Sequence, residues 1–306
     1  MGGAVRDALL DRLSDAPDLD FVVPDNALKN TRKLALKLGG ACVVLDEQRD
    51  MARLVLGGWT IDLARQEGAT IEDDLNRRDY RLNAMALRFD GTPRLLDPTG
   101  GLDDLQQGTV VAVKEANLQD DPLRLLRGLR LIAELDMHLD AQTLKMLQRN
   151  RSLLPHAAPE RIQAELVRLV AAPAADRAIA TILELKLLAP WMKQGATASD
   201  QRLIGAAKTS ELLTDSERRQ ALPLARLTQL LPDAGLKELR FSRRQLQRCE
   251  RLRHWIKHSS SSGGRPCPAE LTEQERLRLQ MDLEQDLPAL ILTWPTALQQ
   301  QWLERW

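Results

Sequence analysis

Two carboxylates stand one residue apart at the head of an apolar run, Asp18 and Asp20 in DLDFVV. Residues i and i+2 of a β-strand point to the same side, so we expect both side chains on one face of a sheet. Two like charges held that close are unfavourable without a cation, and hard oxygen ligands favour Mg²⁺, which also takes oxygens from a substrate phosphate. The doublet is therefore a candidate metal site for phosphoryl transfer. The alternative is a solvated strand start in which Asp18 caps a turn after Pro17.

Groups that suit phosphate oxygens come just before this doublet. Gly2 and Gly3 have no Cβ, so their backbone N–H groups can approach a phosphate closely, and Arg6 adds a guanidinium fork. The G-x-G-x-x-G spacing of dinucleotide-binding proteins is absent. The pattern therefore indicates phosphate binding of another kind.

The later stretch DDPLRLLRGLR carries acid and base at helical spacing. Asp121, Arg124 and Arg127 stand at i, i+3 and i+6, with Asp120 and Arg130 alongside. On a helix these positions lie near one edge, which brings acid and base together. Taken alone, the stretch is either part of a site or a salt-bridged, solvated helix face.

The elements that must position these residues change in kind along the chain. Four short runs in the first third predict strands of a small sheet: DLDFVV, ACVVLDE, ARLVLGG and TIDLA. A helix-periodic stretch between the first two ends at the stop signal Gly39-Gly40. From about Asn117 nearly every segment has helical spacing, and Pro159 suits a first helical position. Residues 258–268, HSSSSGGRPCP, predict a flexible break before a Trp-rich end.

Composition limits the compartment and the class of partner. The three cysteines lack C-x-x-C spacing, no window approaches the ~20 apolar residues of a membrane span, and the start does not resemble a secretory signal. We therefore expect a cytoplasmic protein with no membrane partner. Residues 1–121 hold 22 acids against 15 bases, which leaves 21 acids and 28 bases in residues 122–306. An acidic front suits cations and a basic rear suits a polyanion, unless the asymmetry between domains is chance.

Six motifs in order resemble the bacterial class II tRNA nucleotidyltransferase and poly(A) polymerase family over about residues 1–172: GGAVRD, DLD, RRDYRLNAMAL, DPTGGLDDLQQG, DDPLRLLRGLR and PERIQAELVRLV. The resemblance implies an α+β fold with an N-terminal mixed α/β nucleotidyltransferase head, followed by an all-helical neck, body and tail. The implied boundaries are 1–105 for the head, 106–175 for the neck with its base-reading helices, and 176–306 for the tRNA-binding body and tail.

The resemblance also implies roles for individual residues of the head. Asp18 and Asp20 would bind Mg²⁺, which would activate the RNA 3′-hydroxyl for attack on the α-phosphate of a nucleotide. Asp62, in the strand TIDLA, would be a third carboxylate there, or a surface acid at a strand end. Further residues would contact the nucleotide's phosphates, or its ribose and triphosphate: Gly3, Arg6 and Arg78 for the phosphates, and Asp79 and Asn83 for the ribose or triphosphate.

A base-reading pair is implied at the start of the neck helix. Asp121 would accept from the exocyclic amine that cytosine and adenine share, and Arg124 would donate to the ring acceptor beside it. Uracil and guanine present the opposite order of donor and acceptor on that edge. An acidic and a basic side chain would therefore reject these two nucleobases without a nucleic-acid template. Arg127 and Arg130 would reinforce the site.

Three features depart from the family pattern. A strand precedes the Gly-Gly in the family, and here only Met1 does, so we expect either a start assigned too far downstream or a truncated chain. The family's Glu-Asp-x-x-Arg reads Asp120-Asp121-x-x-Arg124 here. Residues 64–76 form a shorter stretch than in many complete CCA-adding members, which favours an enzyme that adds only CC and leaves the terminal A to a partner enzyme.

Activity and partners follow from the same resemblance. We expect Mg²⁺-dependent addition of C, as CC or CCA, to tRNA from CTP and ATP. A poly(A) polymerase of the same fold, or a catalytically impaired RNA-binding homologue, is the alternative. Residues 236–257 hold eight Lys and Arg against two Glu, and predict either contact with the tRNA backbone or a solvated amphipathic helix. We interpret the C-terminal tryptophans as packing residues.

Overall fold

The computed structural model describes residues 1–192, 213–261, 271–294 and 299–300. It divides into two compact units, Met1–Arg124 with Met137–Met146, and Leu125–Asp136 with Leu147–Trp306. The predicted neck, residues 106–175, contributes to both units, and the three predicted domain ranges stay predictions. In these described ranges, no helix is both long enough and apolar enough to cross a membrane.

A four-stranded mixed sheet forms the centre of the first unit. The strands lie in the order β1-β4-β3-β2, with β1 parallel to β4 and the other two pairs antiparallel. Their bounds are β1 Asp18–Val23, β2 Ala41–Asp46, β3 Met51–Leu56 and β4 Trp59–Arg65. All four strands coincide with the alternating or β-branched runs of the sequence, so these predictions are confirmed.

Helix α2, Ala27–Leu38, connects β1 to β2 and packs against β3. It buries small side chains at i, i+4 and i+8, namely Ala27, Thr31 and Ala35, which lets the helix lie close to the sheet. Gly39 ends the helix with φ 72°, a left-handed conformation that glycine adopts without a steric cost. The predicted stop signal is confirmed.

Shorter elements surround the sheet of the first unit. They are α1 Gly3–Leu9, α3 Ile71–Asn76, a 3₁₀ turn Arg81–Asn83, β5 Ala86–Arg88, β6 Arg94–Leu96, α4 Gly101–Gln107, β7 Thr109–Val110 and α5 Glu115–Asp120. Helix α4 lies so close to the 3₁₀ turn that a Cβ on Gly101 would overlap the Arg81 carbonyl. Asp97 fixes the start of α4 by accepting from the backbone N–H groups of Gly101 (2.8 Å) and Leu102 (2.9 Å).

The regular elements described after α5 are helical, apart from one short strand. They are α6 Leu123–Leu135, β8 His138–Leu139, α7 Ala141–Asn150, α8 Pro159–Ala171, α9 Ala175–Glu184, α10 Asp215–Leu230, α11 Asp233–Glu238, α12 Arg243–Ser261, α13 Glu273–Leu283 and α14 Leu287–Ile291. Pro159 is the first residue of α8, as predicted. The short strand β8 pairs in parallel with β7, so the predicted neck is not wholly helical.

Within the second unit, α10 packs against α8, α12 and α14. Leu224, Leu227 and Leu230 of α10 are buried, as the i, i+3 periodicity of its sequence indicates. The same helix buries a charged residue, Arg226, which donates to Asp176 (3.0 Å) and to the Val170 carbonyl (2.9 Å). These bonds offset the cost of burying its guanidinium group.

Candidate active site

The carboxylate doublet lies on β1 as the sequence predicts, next to a third aspartate. Asp18 and Asp20 share one face of the strand, and Asp20 pairs in parallel register with Asp62 of β4. Burial raises the pKa of Asp20, and the charges of Asp62 and Asp18 add to the rise, while Arg78 opposes it. The strand pairing thus gathers negative charge beside a half-buried carboxylate, which is the environment a cation would relieve.

Asp62 already has a counterion in the protein. Arg53, its cross-strand neighbour on β3, donates Nε to Oδ1 (2.7 Å) and Nη2 to Oδ2 (2.9 Å) in a bidentate pair. No group of three or more His, Cys, Asp or Glu side chains within the described ranges is arranged to hold a metal. The carboxylates that remain without a bidentate arginine are Asp18 and Asp20.

Helix α1 begins at the edge of these carboxylates. Gly2 has φ 68°, and a Cβ at this position would lie 2.9 Å from Arg78 Nη1 and 3.7 Å from Asp20 Oδ2. A side chain there would therefore be strained and would collide with the guanidinium group. Gly3 is the first residue of α1, and a Cβ at this position would lie 3.7 Å from Arg6 Nη2.

A chain of polar contacts joins α1 to the segment after α3. Arg6 donates Nη1 to Asn83 Oδ1 (2.7 Å), and Asn83 donates Nδ2 to Asp79 Oδ1 (3.3 Å). Arg6 also pairs with its neighbour Asp7 (2.7 Å). Asp79 and Asn83 are buried, and Asp79 accepts a bond from the backbone N–H of Tyr80 (2.8 Å). Gly2, Gly3, Arg78 and Asp20 lie beside this chain of contacts, since a Cβ at Gly2 would lie within 4 Å of Arg78, Asp20 and the Asn83 carbonyl oxygen. We call these residues together the connected polar group.

Asn117 of α5 holds this segment in place. Its buried amide donates to the backbone carbonyls of Asn76 (2.9 Å) and Arg78 (2.7 Å). Arg124 donates Nη1 to the carbonyls of Arg77 and Asn117, both at 2.9 Å. The Tyr80 hydroxyl in turn donates to the Arg124 carbonyl (2.7 Å). The predicted base-reading end and the predicted phosphate-contacting segment are therefore bonded together.

Asp121 differs from the predicted helical position. It lies between α5 and α6 with an extended backbone (φ −137°, ψ 97°), because the following Pro122 disfavours the helical region at the preceding residue. Its carboxylate accepts from the backbone N–H of Leu123 (3.2 Å), as a cap at the start of α6. Asp121 and Arg124 remain neighbours, since the Arg124 N–H donates to the Asp121 carbonyl (2.9 Å).

Arg127 and Arg130 belong to the second unit. Arg130 is buried and pairs with Glu134 (3.0 Å) and Glu165 (2.6 Å). These contacts give Arg130 a structural role in the second unit, which the sequence motif does not predict. The resemblance implies that Arg127 and Arg130 reinforce the base-reading pair. No described contact tests this role, and it stays a prediction.

The basic run at residues 236–257 is only partly available for RNA. Arg248 makes a bidentate pair with Asp286 (2.8 and 2.6 Å), and Arg253 donates to the Leu231 carbonyl (2.6 Å). The other six basic residues of the run are exposed: Lys237, Arg240, Arg243, Arg244, Arg251 and Lys257. The cationic surface of α12 is thus smaller than the composition predicts. Trp294 is buried, as expected of a packing residue, while Trp302 and Trp306 lie outside the described residues.

Comparison with known families settles the relationship. The family described as "Poly A polymerase head domain" matches residues 1–111, which contain the sheet and the connected polar group. A second family, "Probable RNA and SrmB- binding site of polymerase A", matches residues 136–198. The chain belongs to the tRNA nucleotidyltransferase and poly(A) polymerase family. The resemblance inferred from the six motifs is confirmed, and so is the α+β fold class.

Curated members of the family match over most of this chain but only part of their own. A CC-adding tRNA nucleotidyltransferase of Synechocystis is 36% identical over 81% of this chain and 64% of its own length. A CC-adding enzyme of Geobacter sulfurreducens is 41% identical over 56% of this chain, and an A-adding enzyme of Deinococcus radiodurans is 39% identical over 64%. This chain covers 40% and 45% of those two proteins.

Solved structures of the family share the fold. A tRNA nucleotidyltransferase complexed with a primer tRNA and an incoming ATP analogue superposes with a TM-score of 0.77 at 22% identity, over 99% of this chain and 91% of that one. A CCA-adding enzyme with CTP gives 0.78 at 22% identity, over 99% of this chain and 76% of that one. At this identity the likeness establishes the fold alone.

Three residues of the site have no counterpart in the sequence predictions. Arg53 and Asp7 neutralise site residues, and Asn117 secures the segment that contains Arg78. Arg53 could have been found from sheet register, because β3 and β4 form a two-residue hairpin that places it opposite Asp62. The partner of Asn117 depends on tertiary packing between α5 and a loop, which has no periodic signal.

Proposed function

We propose that this chain is a nucleotidyltransferase that adds C to the 3′ end of tRNA, with CC as the product. The single observation that carries the proposal is the connected group of Gly2, Arg6, Arg78 and Asn83 beside the Asp20 carboxylate. Cations and a close-lying backbone suit the phosphates of a nucleotide, and a carboxylate pair suits the reacting centre next to them.

The residues present fit a bound Mg²⁺. Asp18 and Asp20 offer hard oxygen donors on one face of β1, and burial raises the pKa of Asp20, so its charged form lacks the solvation that a bound cation would replace. Mg²⁺ commonly takes one or two carboxylates and completes its octahedron with water and substrate phosphates, so a pair suffices. When bound, Mg²⁺ would supply the positive charge that activates the RNA 3′-hydroxyl and stabilises the transferring phosphate.

The protein's own groups position the reactants. Arg6 and Arg78 would bind the triphosphate, and their bonds to Asp7, Asn83 and Asp74 fix the guanidinium groups before the nucleotide arrives. Asp79 and Asn83 would lie at the ribose or triphosphate. Asp62, held by Arg53, would add negative charge at the carboxylate pair.

Base selection would belong to Asp121 and Arg124. Arg124 uses Nη1 for the two backbone carbonyls, and its Nε and Nη2 make no bond within the described ranges, so they can donate to a base. The Asp121 carboxylate, which caps Leu123, would accept from the exocyclic amine of the base. One acid and one base presented side by side would match the edge of cytosine.

CC addition is favoured over the complete CCA reaction by the relatives. CC-adding members are 36% and 41% identical to this chain and an A-adding member is 39% identical, whereas the CCA-adding enzyme of Geobacillus stearothermophilus is 31% identical over 72% of it. The identities thus favour addition of part of the CCA end over the complete reaction. The short stretch at residues 64–76 points the same way. The partners proposed are tRNA, CTP and ATP in the cytoplasm, with a separate A-adding enzyme acting on the product.

One assay tests the proposal. The protein is incubated with Mg²⁺, a tRNA that lacks its 3′ end, and CTP, ATP or both, and the product length is read on a gel. Two added residues with CTP, unchanged when ATP is also present, are expected. A CCA product would replace CC by the complete reaction, and a long ladder with ATP on unrelated RNA would replace it by polyadenylation.

Variants connect the assay to the site. Asp18→Asn and Asp20→Asn should each lower the rate of addition at least 100-fold, a loss on the scale of removing one charge-stabilising group. The affinity for tRNA in a gel-shift assay should change less than threefold, since the aspartates would act in the reaction and not in binding the RNA. Full activity in either variant would overturn the metal assignment. RNA binding without addition by the unmodified chain under every condition would favour the non-catalytic homologue.

A further inference from the structure

A cationic groove lies on the first unit, built from residues that the candidate active site does not use. Its volume is about 470 Å³, and α2, the turn between β2 and β3, and the end of β4 line it. The lining contains four basic and two acidic side chains: Lys29, Arg32, Lys33, Arg65, Glu47 and Asp50. The surrounding residues 1–121 are acidic overall, so this local excess of positive charge is unusual for the unit.

The four basic side chains have no carboxylate partner within the described ranges, unlike most of their neighbours. Seven other arginines of the unit each lie within 4.0 Å of a carboxylate: Arg6, Arg49, Arg53, Arg77, Arg78, Arg81 and Arg88. The groove therefore concentrates cations that the protein leaves for an external anion.

Helix α2 retains this charge against its own stability. It carries Lys29, Arg32, Lys33 and Lys37 and no acidic residue. Lysines four residues apart repel each other by about 0.2–0.5 kcal/mol a pair. A bound polyanion would remove that repulsion.

The acidic lining does little to neutralise the groove. Asp50 accepts from the backbone N–H groups of Ala27 (2.9 Å) and Leu28 (2.8 Å) at the start of α2. Its negative charge therefore faces the positive end of the helix dipole. Glu47 is left as the one acidic lining residue that caps nothing among the described contacts.

We propose that this groove binds the sugar-phosphate backbone of the RNA substrate, an inference that rests on the proposed function. Lysine and arginine neutralise successive phosphates, and the amides of Asn26 and Gln48 at the groove can bond phosphate or sugar oxygens. A membrane surface fits less well. Leu36 is the one strongly exposed apolar side chain of the groove (87%), whereas membrane-surface helices present a broad apolar face with aromatic residues.

The test measures binding of a tRNA transcript as a function of salt. The variant Lys29→Gln, Arg32→Gln, Lys33→Gln should weaken binding about tenfold at 0.1 M salt and reduce the slope of log affinity against log salt by about 2–3, near one unit for each lost phosphate contact. Circular dichroism should show an unchanged helix content, because these side chains are solvent-facing and removing their mutual repulsion favours α2.

A matched control removes the same charge elsewhere on the unit. Arg12→Gln, Arg94→Gln, Lys114→Gln replaces three exposed cations that also lack carboxylate partners within the described ranges. Its affinity and salt slope should stay within twofold and about half a unit of the unmodified protein. Equal losses of tRNA affinity in both triple variants would overturn the proposal that the groove binds RNA, because net charge alone would then explain the losses.

Two further readouts separate this inference from the proposed function. With saturating tRNA the groove variant should add C at the unmodified rate, while its KM for tRNA rises. Should the unmodified chain add no nucleotide, the proposed function fails, but the salt slopes still decide whether the groove binds RNA. Vesicles containing phosphatidylserine form the last arm: groove-dependent vesicle binding with unchanged RNA binding would overturn the RNA assignment.

Discussion

Replacing Asp104 by asparagine should stabilise the first unit at neutral pH. Asp104 lies on α4 with its side chain 8% exposed, and its Oδ2 is buried without a hydrogen-bond partner in the described part of the chain. Arg81 is the nearest cation, with Nη1 3.9 Å from Oδ1. Burial raises the pKa of Asp104 to about 6, and the carboxylates of Asp97, Asp140 and Asp103 add to the rise while Arg81 opposes it.

The sign and size follow from linkage between proton binding and folding. The pKa of Asp104 is higher in the folded chain (about 6) than in the unfolded chain (3.8). The folded state is therefore most stable below pH 3.8, and it loses stability as the pH rises from there to about 6. At about 1.36 kcal/mol per pKa unit, the ionised side chain costs on the order of 3 kcal/mol at pH 7. Asparagine removes that cost while keeping the shape of the side chain.

The assay is urea unfolding of Asp104→Asn and of the unmodified chain between pH 4 and 8. The free energies of unfolding should be similar at pH 4 and differ by about 2–3 kcal/mol above pH 7, with the variant more stable. Asp103→Asn is the control, since Asp103 is an exposed residue of the same helix. A difference that does not vary with pH, or one that the Asp103 variant reproduces, would refute the assignment of the raised pKa to burial of Asp104.

Three other expectations follow from the contacts of the site. Gly2→Ala forces a side chain onto a residue with φ 68° and against a guanidinium group, so unfolding should need about 1–2 kcal/mol less and C addition should fall at least tenfold. Arg53→Gln leaves Asp62 without its counterion and should cost about 1–3 kcal/mol, which the double variant with Asp62→Asn should recover; additive losses would exclude the pairing. Asn117→Asp sets a carboxylate against two carbonyl oxygens and should cost about 2–4 kcal/mol by urea unfolding, whereas an unchanged midpoint would mean that the amide bonds contribute nothing.

Local signals in the sequence predict the central sheet of the first unit and the helix that packs on it. The four strands and α2 follow from period-2 runs and a helical stretch with a glycine stop, which are properties of consecutive residues. Asp121 shows the limit of such spacing: helical periodicity places it on α6, but the steric demand of Pro122 moves it out of the helix. The availability of a charge is harder still to predict, because Arg248 and Arg130 look like solvated cations until distant acids pair with them.

The site shows the same division. Strand alternation is enough to put Asp18 and Asp20 on one face, and the family motifs are enough to name Arg6, Arg78 and Asn83. The bond from Arg6 to Asn83 joins residues 77 positions apart, and no local pattern encodes that distance. Sequence motifs do not predict counterions such as Arg53, because motifs indicate the groups that touch ligands more readily than the groups that hold those in place.

Asn117 fixes a distance within the proposed site. By tying the carbonyls of Asn76 and Arg78 to α5, it sets a fixed length between the segment proposed for the phosphates and the pair proposed for the base. A purine presents its pairing edge farther from the ribose than a pyrimidine does. A site whose length fits CTP would therefore be too short for ATP. Rejection of ATP would then come from length alone, because cytosine and adenine share the exocyclic amine and the ring acceptor that Asp121 and Arg124 would read. Loosening this one amide would be the simplest route by which such an enzyme could gain the terminal A.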